Sequence, residues 1–236
     1  MGSAGDPLWL WPHPSQHVPT QTMRLVFDIE TDGLLRSLTK IHCIVARDLD
    51  TNEEYRWDDD IRTGLQFLAD ADELWGHNII GYDIEAIQEI VPSWSYRGRL
   101  YDTLILSRLF FTDILDRDFR SRPANMPANL YGRHSLEAWG HRLGIHKSEF
   151  GKSLAGDWSH YSPEMLEYCA QDVVVSVELS KMFEPKLEPY KDCIDTEHQL
   201  AIIMAWQRTR AGPSTLMLPT NWSPSYGQNS THCQTT

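Results

Sequence analysis

Hydrophobic and polar residues alternate most clearly in the eight-residue stretch RLVFDIET, which predicts a β-strand. Leu25, Phe27 and Ile29 form one apolar face of this strand, because successive side chains point to opposite sides. The opposite face is apolar at its start and ends in two acids, Asp28 and Glu30, which therefore point the same way.

The same patterns predict the other elements of the chain. Strands are expected at 24–31, 40–46, 54–57, 73–78 and 99–102. Helices are expected at 61–71, 82–91, 103–111, 135–144, 162–182 and 195–207. The three early strands are joined by turn-like segments, which favours a meander, and the two later strands each lead into a helix.

Three segments lack a clear period. Residues 1–22 contain four prolines and no Lys or Arg, and they are interpreted as a poorly ordered leader. The region from Thr209 onward is rich in Pro, Ser, Thr, Gly, Asn and Gln and is interpreted as a disordered tail. Residues 112–133 predict a long polar loop that carries four arginines, and both a contact with a substrate strand and a merely solvated loop remain open.

Composition narrows the class of protein. Hydrophobic residues make up 41% of the 236 residues and charged residues 23%, as in soluble globular proteins. The four cysteines have no zinc-site spacing, and no apolar run is long enough to cross a membrane, so a reducing cytoplasm is the expected setting. The net charge of −12 argues against sequence-independent binding of duplex nucleic acid, but not against a nucleic-acid substrate held by metal ions.

The two acids of the first strand suggest a metal site. Two charges about 4 Å apart repel by roughly 4 kcal/mol at an effective dielectric of 20, so a strand that buries Asp28 and Glu30 together needs a cation between them. Mg²⁺ and Mn²⁺ prefer such oxygen ligands. The alternative is that both acids are exposed at the end of the strand, before the Asp32-Gly33 turn.

Further acids follow at positions that could complete the site. Asp83 lies in the first turn of a predicted helix, where an acid is also favoured by the helix dipole. Tyr168 and Asp172 are four residues apart on a late helix and share a face, although Tyr168 could equally be a core aromatic. Asp102 could add a further charge or serve only as the N-cap of the next helix.

The order and spacing of these motifs resemble a known family. D-x-E on the first strand, N-x-x-x-Y-D about fifty residues later, and Y-x-x-x-D on a late helix resemble the motifs of DEDDy-type 3′-5′ proofreading exonucleases. The stretches KIHC, DTLILSRL, HSLEAWGHRLG and YCAQDVVV resemble the exonuclease domain of family A DNA polymerases of short-tailed phages of the T-seven type. The resemblance runs from about Met23 to Gln207.

The resemblance implies a ribonuclease H-like α/β fold, with a mixed five-stranded sheet flanked by helices. The implied domains are a leader at 1–22, an exonuclease domain at 23–190, a junction helix at 191–207 and a tail at 208–236. A missing polymerase domain is also implied, so no polymerase activity and no thioredoxin partner are expected.

The resemblance also implies the roles of individual residues. Two Mg²⁺ or Mn²⁺ ions would be held by the four acids, and Tyr168 would orient the attacking water. The implied catalytic residues are Asp28, Glu30, Asp83, Tyr168 and Asp172. The implied substrate-binding residues are Thr31, Asn78, Tyr82 and His134.

The expected function is a 3′-5′ exonuclease that releases nucleoside monophosphates from single-stranded or frayed DNA ends, without a membrane partner. An exoribonuclease like those of the RNase D group is an alternative, because that group shares the four acids and the tyrosine. A remnant that binds nucleic acid without catalysis is another.

Overall fold

The computed structural model describes residues 22–145 and 158–210, with the side chains of the last two residues left out of the description. The strands are β1 (Arg24–Thr31), β2 (Ile41–Asp48), β3 (Glu54–Trp57), β4 (Glu73–Gly76) and β5 (Arg99–Asp102). The helices are α1 (Ile61–Ala69), α2 (Asp83–Ile90), α3 (Thr103–Phe110), α4 (Ile114–Ser121), α5 (Leu136–Leu143), α6 (Pro163–Leu187) and α7 (Lys191–Arg210), with a short 3₁₀ turn at Ala128–Leu130.

The five strands form one mixed sheet in the order β3-β2-β1-β4-β5. β1, β2 and β3 pair antiparallel, as a meander does, whereas β4 and β5 run parallel to β1. The predicted α/β fold with a mixed five-stranded sheet is confirmed. β1 lies in the centre of the sheet, so its side chains face packed layers on both sides.

Each face of β1 belongs to a different core. Leu25, Phe27 and Ile29 pack with α1 and α2 on one side of the sheet. Val26 packs on the other side, among buried residues of α3, α5 and α6. Asp28 and Glu30 share the face of Val26, so the alternation of β1 directs both acids toward α6.

The structure corrects the predicted loop at 112–133. This segment contains α4, which begins after Asp113 and is tied to the rest of the fold by a buried ion pair between Asp118 and Arg142. The loop was predicted because the segment is polar and is broken by Pro123, Pro127 and Gly132, although Ile114, Leu115 and Phe119 fall on one side of the helix. The helix is held in place by the contact between Asp118 and Arg142, which are 24 residues apart in the sequence.

The ends of two helices also differ from the prediction. α6 continues beyond Met182 through Pro185, because Phe183 is fully buried in the core against Phe110 and Phe111. Tertiary packing there offsets the backbone hydrogen bond that a proline removes. The last helix begins at 191 and reaches 210, a longer span than the predicted 195–207.

α7 is fixed to the sheet by a buried histidine. The backbone N–H of Asp102 donates to Nε2 of His198 at 2.8 Å, and Nδ1 of His198 donates to the carbonyl of Ile194 at 2.9 Å. Burial lowers the pKa of His198, which keeps Nε2 an acceptor. The predicted leader and almost all of the predicted tail lie outside the described residues.

Candidate active site

The site lies where β1 extends beyond its parallel neighbour. β4 pairs with β1 only from Arg24 to Val26 and ends at Gly76, so the second half of β1 has no strand on that side. A crevice at the carboxyl ends of parallel strands is where open α/β sheets bind ligands. Gly76 is needed there, because a Cβ would lie 2.7 Å from the carbonyl oxygen of Phe27.

The loop after β4 delivers Asp83 to this crevice. The carboxylate of Asp102 caps α3 by accepting from the N–H of Leu104 at 2.9 Å, and it also accepts from the N–H groups of Asn78 and Ile80. Asp102 thus confirms the N-cap reading and at the same time fixes the loop. Asp83 follows as the first residue of α2, and it is buried.

The long helix α6 supplies the remaining carboxylate. Ser162 caps it, Pro163 occupies its first position, and Glu164 lies in its first turn. Asp172 is buried on the face of α6 that packs against β1. Tyr168, one turn earlier, is half-buried, and its ring lies edge-on to Trp158 with 6.0 Å between centroids.

The four carboxyl groups form one electrostatic cluster. The pKa of Asp28 is raised well above its usual value, first by burial and then by the negative charges of Asp83, Glu30 and Asp172. Burial also raises the pKa of Asp83 to about 7, and the charge of Asp102 adds to this effect. The structure therefore brings the four predicted acids together, and the alternative of an exposed strand end does not apply.

The arrangement fits a divalent cation. Oxygens of Asp28 and Glu30 and the sulfur of Cys169 all lie within 4.8 Å of one another. Carboxylate oxygens are the ligands that Mg²⁺ and Mn²⁺ prefer, and a cation among them offsets the repulsion that raises their pKa values. The thiol adds a softer ligand, which Mg²⁺ does not favour.

Cys169 is a neighbour of the site that the sequence patterns did not single out. Its thiol donates to the carbonyl of Asp28 at 3.3 Å, and burial raises its pKa well above the usual value. The signal was present in the sequence, since Cys169 lies three residues before Asp172 and such residues share a helix face.

The predicted substrate-binding residues fall into different places. The hydroxyl groups of Thr31 and Tyr82 are 2.5 Å apart at the crevice, and both lie within hydrogen-bond distance of the carbonyl oxygen of Gly33, so one hydroxyl donates to this carbonyl and the other donates to its neighbouring hydroxyl. Burial raises the pKa of Tyr82, with further contributions from the nearby acids Asp83, Glu30 and Asp28. Asn78 is exposed on the loop that leads to Asp83, with a left-handed backbone at φ 66°.

His134 contacts α3 and not the acid cluster in the part of the chain that the structure describes. Its Nδ1 is 2.6 Å from the hydroxyl of Ser107 on α3, and the charged groups that act on it are Arg142, Arg108 and Asp118. The described contacts thus join His134 to α3 and α5, and none of them joins it to the acid cluster. Its role in substrate binding stays a prediction, as do the roles of the acids and of Tyr168.

A mixed five-stranded sheet of this order, flanked by helices, is the ribonuclease H-like α/β fold. Solved structures agree on the fold. Brucella melitensis NrnC with bound Mg²⁺ is 17% identical, covers 84% of this chain and 91% of its own, and superposes with a TM-score of 0.57. NrnC bound to pGG gives 0.54 at 16% identity over the same shares of both chains. The zinc-bound complex of E. coli ExoI with ssDNA gives 0.50 at 17% identity, over 79% of this chain and 45% of its own.

The sequence is similar to phage DNA polymerases. It is 30% identical over 233 residues to the DNA-directed DNA polymerase of Escherichia phage T7 and 29% identical over 232 residues to that of Enterobacteria phage T3, with 80% of this chain covered in each case. The chain spans about a third of the length of these relatives, 33% in both comparisons. No family model matches the chain. The resemblance to polymerases of the T-seven type that the motifs indicated is therefore confirmed, together with the ribonuclease H-like fold.

Proposed function

We propose that this chain is a metal-dependent 3′-5′ exonuclease that hydrolyses DNA from its 3′ end to nucleoside monophosphates. One observation carries the proposal: four carboxyl groups from three separate elements lie together at a sheet edge, where burial raises the pKa of Asp28 and Asp83 and the charges of the other three acids raise the pKa of Asp28 further. Such a cluster costs stability unless it binds cations. The similarity to phage DNA polymerases supports DNA as the substrate.

Asp28, Glu30, Asp83 and Asp172 would hold two Mg²⁺ or Mn²⁺ ions. When bound, such ions lower the pKa of a water molecule and offset charge on the attacking and leaving oxygens. The other groups of the chain position the substrate. Tyr168 orients the water and the scissile phosphate through its hydroxyl, and the linked hydroxyl groups of Thr31 and Tyr82 face the terminal nucleotide. The partner is a single-stranded or frayed DNA end.

The alternative of an RNA substrate rests on a different observation. It is supported by a solved structure of similar fold, in which NrnC is bound to pGG. Because only the 2′-hydroxyl distinguishes RNA from DNA at a given site, the two substrates must be compared directly. A cytoplasmic setting is also proposed, since the adjacent thiols of Cys43 and Cys169 are both free.

The test is the degradation of 20-nucleotide DNA and RNA strands that carry a label at the 5′ end. With Mg²⁺ or Mn²⁺, a DNA ladder that shortens from the 3′ end is expected, and a chelator should abolish it. Faster degradation of RNA would assign the chain to the exoribonucleases. Binding without degradation of either strand at millimolar Mn²⁺ would support the non-catalytic alternative.

A further inference from the structure

A second site lies on the surface formed by α4 and α5. Here a pocket of about 330 Å³ is bordered by three arginines, Arg117, Arg122 and Arg142, and by the apolar side chains of Trp139 and Phe111. We call it the arginine pocket. It is a positively charged feature on a chain whose net charge is −12.

Arg142 has an unused hydrogen-bond donor in this pocket. Its Nε and Nη2 atoms donate to the carboxylate of Asp118 at 2.9 and 2.8 Å, and Nη2 also donates to the carbonyl of Arg133 at 2.7 Å. The side chain is only 10% exposed, and its Nη1 atom is buried without a hydrogen-bond partner in the part of the chain that the structure describes. An unsatisfied buried donor costs about 1 to 3 kcal/mol, so a ligand that accepts from it recovers this cost.

The charges around the pocket favour an anion. Asp118 forms an ion pair with Arg142, and Nε of Arg117 donates to the carboxylate of Asp113 over 2.7 Å. Arg122 is exposed at the end of α4 and has no ion pair among the described residues. Guanidinium groups bind phosphate through charge-assisted hydrogen bonds, and the guanidinium of Arg142 is held 4.9 Å above the buried ring of Trp139.

The pocket is connected to the acid cluster by α3. This helix begins after Asp102, which fixes the loop before Asp83, and ends next to Phe111 in the pocket wall. The eight residues of α3 span about 12 Å, which equals about three to four stacked nucleotides at 3.4 Å each. Ser107, midway along α3, contacts both His134 and Trp139.

We propose that the arginine pocket binds a backbone phosphate of the substrate strand several nucleotides before the 3′ end. This inference rests on the proposed function, because it takes the 3′ end to lie among the acids. A strand of two nucleotides is too short to reach the pocket, whereas a strand of twelve nucleotides reaches it. The pocket therefore contributes to the binding of long strands and not to the chemistry at their end.

The test compares Arg122→Glu with Arg62→Glu on two substrates. Arg62 is an exposed arginine on α1, so its variant makes the same charge change on a different helix. For a twelve-nucleotide strand, Arg122→Glu is expected to raise KM at least fivefold with kcat unchanged, and Arg122→Lys to restore most of the affinity. For a dinucleotide, both glutamate variants should keep the wild-type kcat and KM within twofold.

Salt dependence gives a second readout. Each phosphate contact on a single strand contributes about 0.7 to the slope of log affinity against log salt, and Arg122→Glu should lose about that amount. The inference is overturned if Arg122→Glu, folded by circular dichroism, binds the long strand like Arg62→Glu, or if it weakens both substrates equally. If the wild type cleaves neither substrate, the proposed function fails. The anisotropy of a labelled twelve-nucleotide strand in chelator then still decides whether Arg122 contributes to binding.

Discussion

Asp28→Asn should stabilise the metal-free protein, although it removes a residue that we place at the centre of the site. Asp28 lies within 4.8 Å of Glu30, and its pKa is raised by burial and by three neighbouring acids. Asparagine has nearly the same shape and no charge. The substitution therefore removes repulsion and leaves the packing of β1 against α6 in place.

The magnitude follows from Coulomb's law. Two unit charges 4.8 Å apart repel by about 3.5 kcal/mol at an effective dielectric of 20. Proton uptake and partial exposure already relieve part of this repulsion, so we expect a gain of about 1 to 2 kcal/mol. For a chain of this length, that corresponds to a rise in Tm of about 2 to 8 °C.

The assay is thermal unfolding at pH 7 in chelator, repeated with Mn²⁺. Wild type should gain about 2.7 kcal/mol when Mn²⁺ exceeds its Kd a hundredfold, whereas Asp28→Asn should gain much less. Asp192→Asn, an exposed acid in the first turn of α7, is the matched control and should change stability by less than about 0.5 kcal/mol. The reasoning is refuted if Asp28→Asn destabilises the metal-free protein, or if Mn²⁺ stabilises the variant as much as wild type.

Three other substitutions give separate expectations. Asp118→Ala should cost about 3 to 5 kcal/mol in urea unfolding, because Arg142 is left buried without its partner, whereas Asp116→Ala on the exposed side of α4 should cost little. Burial alone would raise the pKa of Asp118, but hydrogen bonds from Arg142 hold it below its usual value. The stabilisation by this pair is therefore full above about pH 4 and is lost as pH falls through the folded pKa. A variant that loses the same stability at pH 7 and at pH 2 would contradict this account. Gly76→Ala should destabilise by about 1 to 3 kcal/mol, since its Cβ would lie 2.4 Å from a neighbouring side chain, and wild-type stability would show that the crevice is wider than described. Tyr168→Phe should keep the wild-type Tm but lower the rate of nucleotide release at least tenfold, and an unchanged rate would remove the hydroxyl from the mechanism.

The acid pair was predictable from the sequence because it depends only on a local rule. Alternation along β1 puts Asp28 and Glu30 on one face whatever the rest of the chain does. Their meeting with Asp83 and Asp172 depends on sheet order and on the packing of α6. Composition and periodicity do not contain that information, and it came from the resemblance to a known family.

The helix α4 was missed for a different reason. Its apolar residues Ile114, Leu115 and Phe119 lie on one side of the helix, but Leu115 and Phe119 are exposed and the charged Asp118 is buried, so polarity does not mark the side that packs. Its position is set by the pair of Asp118 and Arg142, whose partners are 24 residues apart. The arginine pocket therefore could not be predicted from the sequence, although the sequence contains its three arginines.

The central claim is that the carboxylates of β1, α2 and α6 form one metal-dependent catalytic site. The most direct measurement is nucleotide release from a 3′-labelled DNA strand by wild type and by Asp28→Ala at saturating Mn²⁺, with folding of both verified by circular dichroism. The account predicts release by wild type that a chelator abolishes, and a rate at least a thousandfold lower for Asp28→Ala. Equal rates for the two proteins would contradict it.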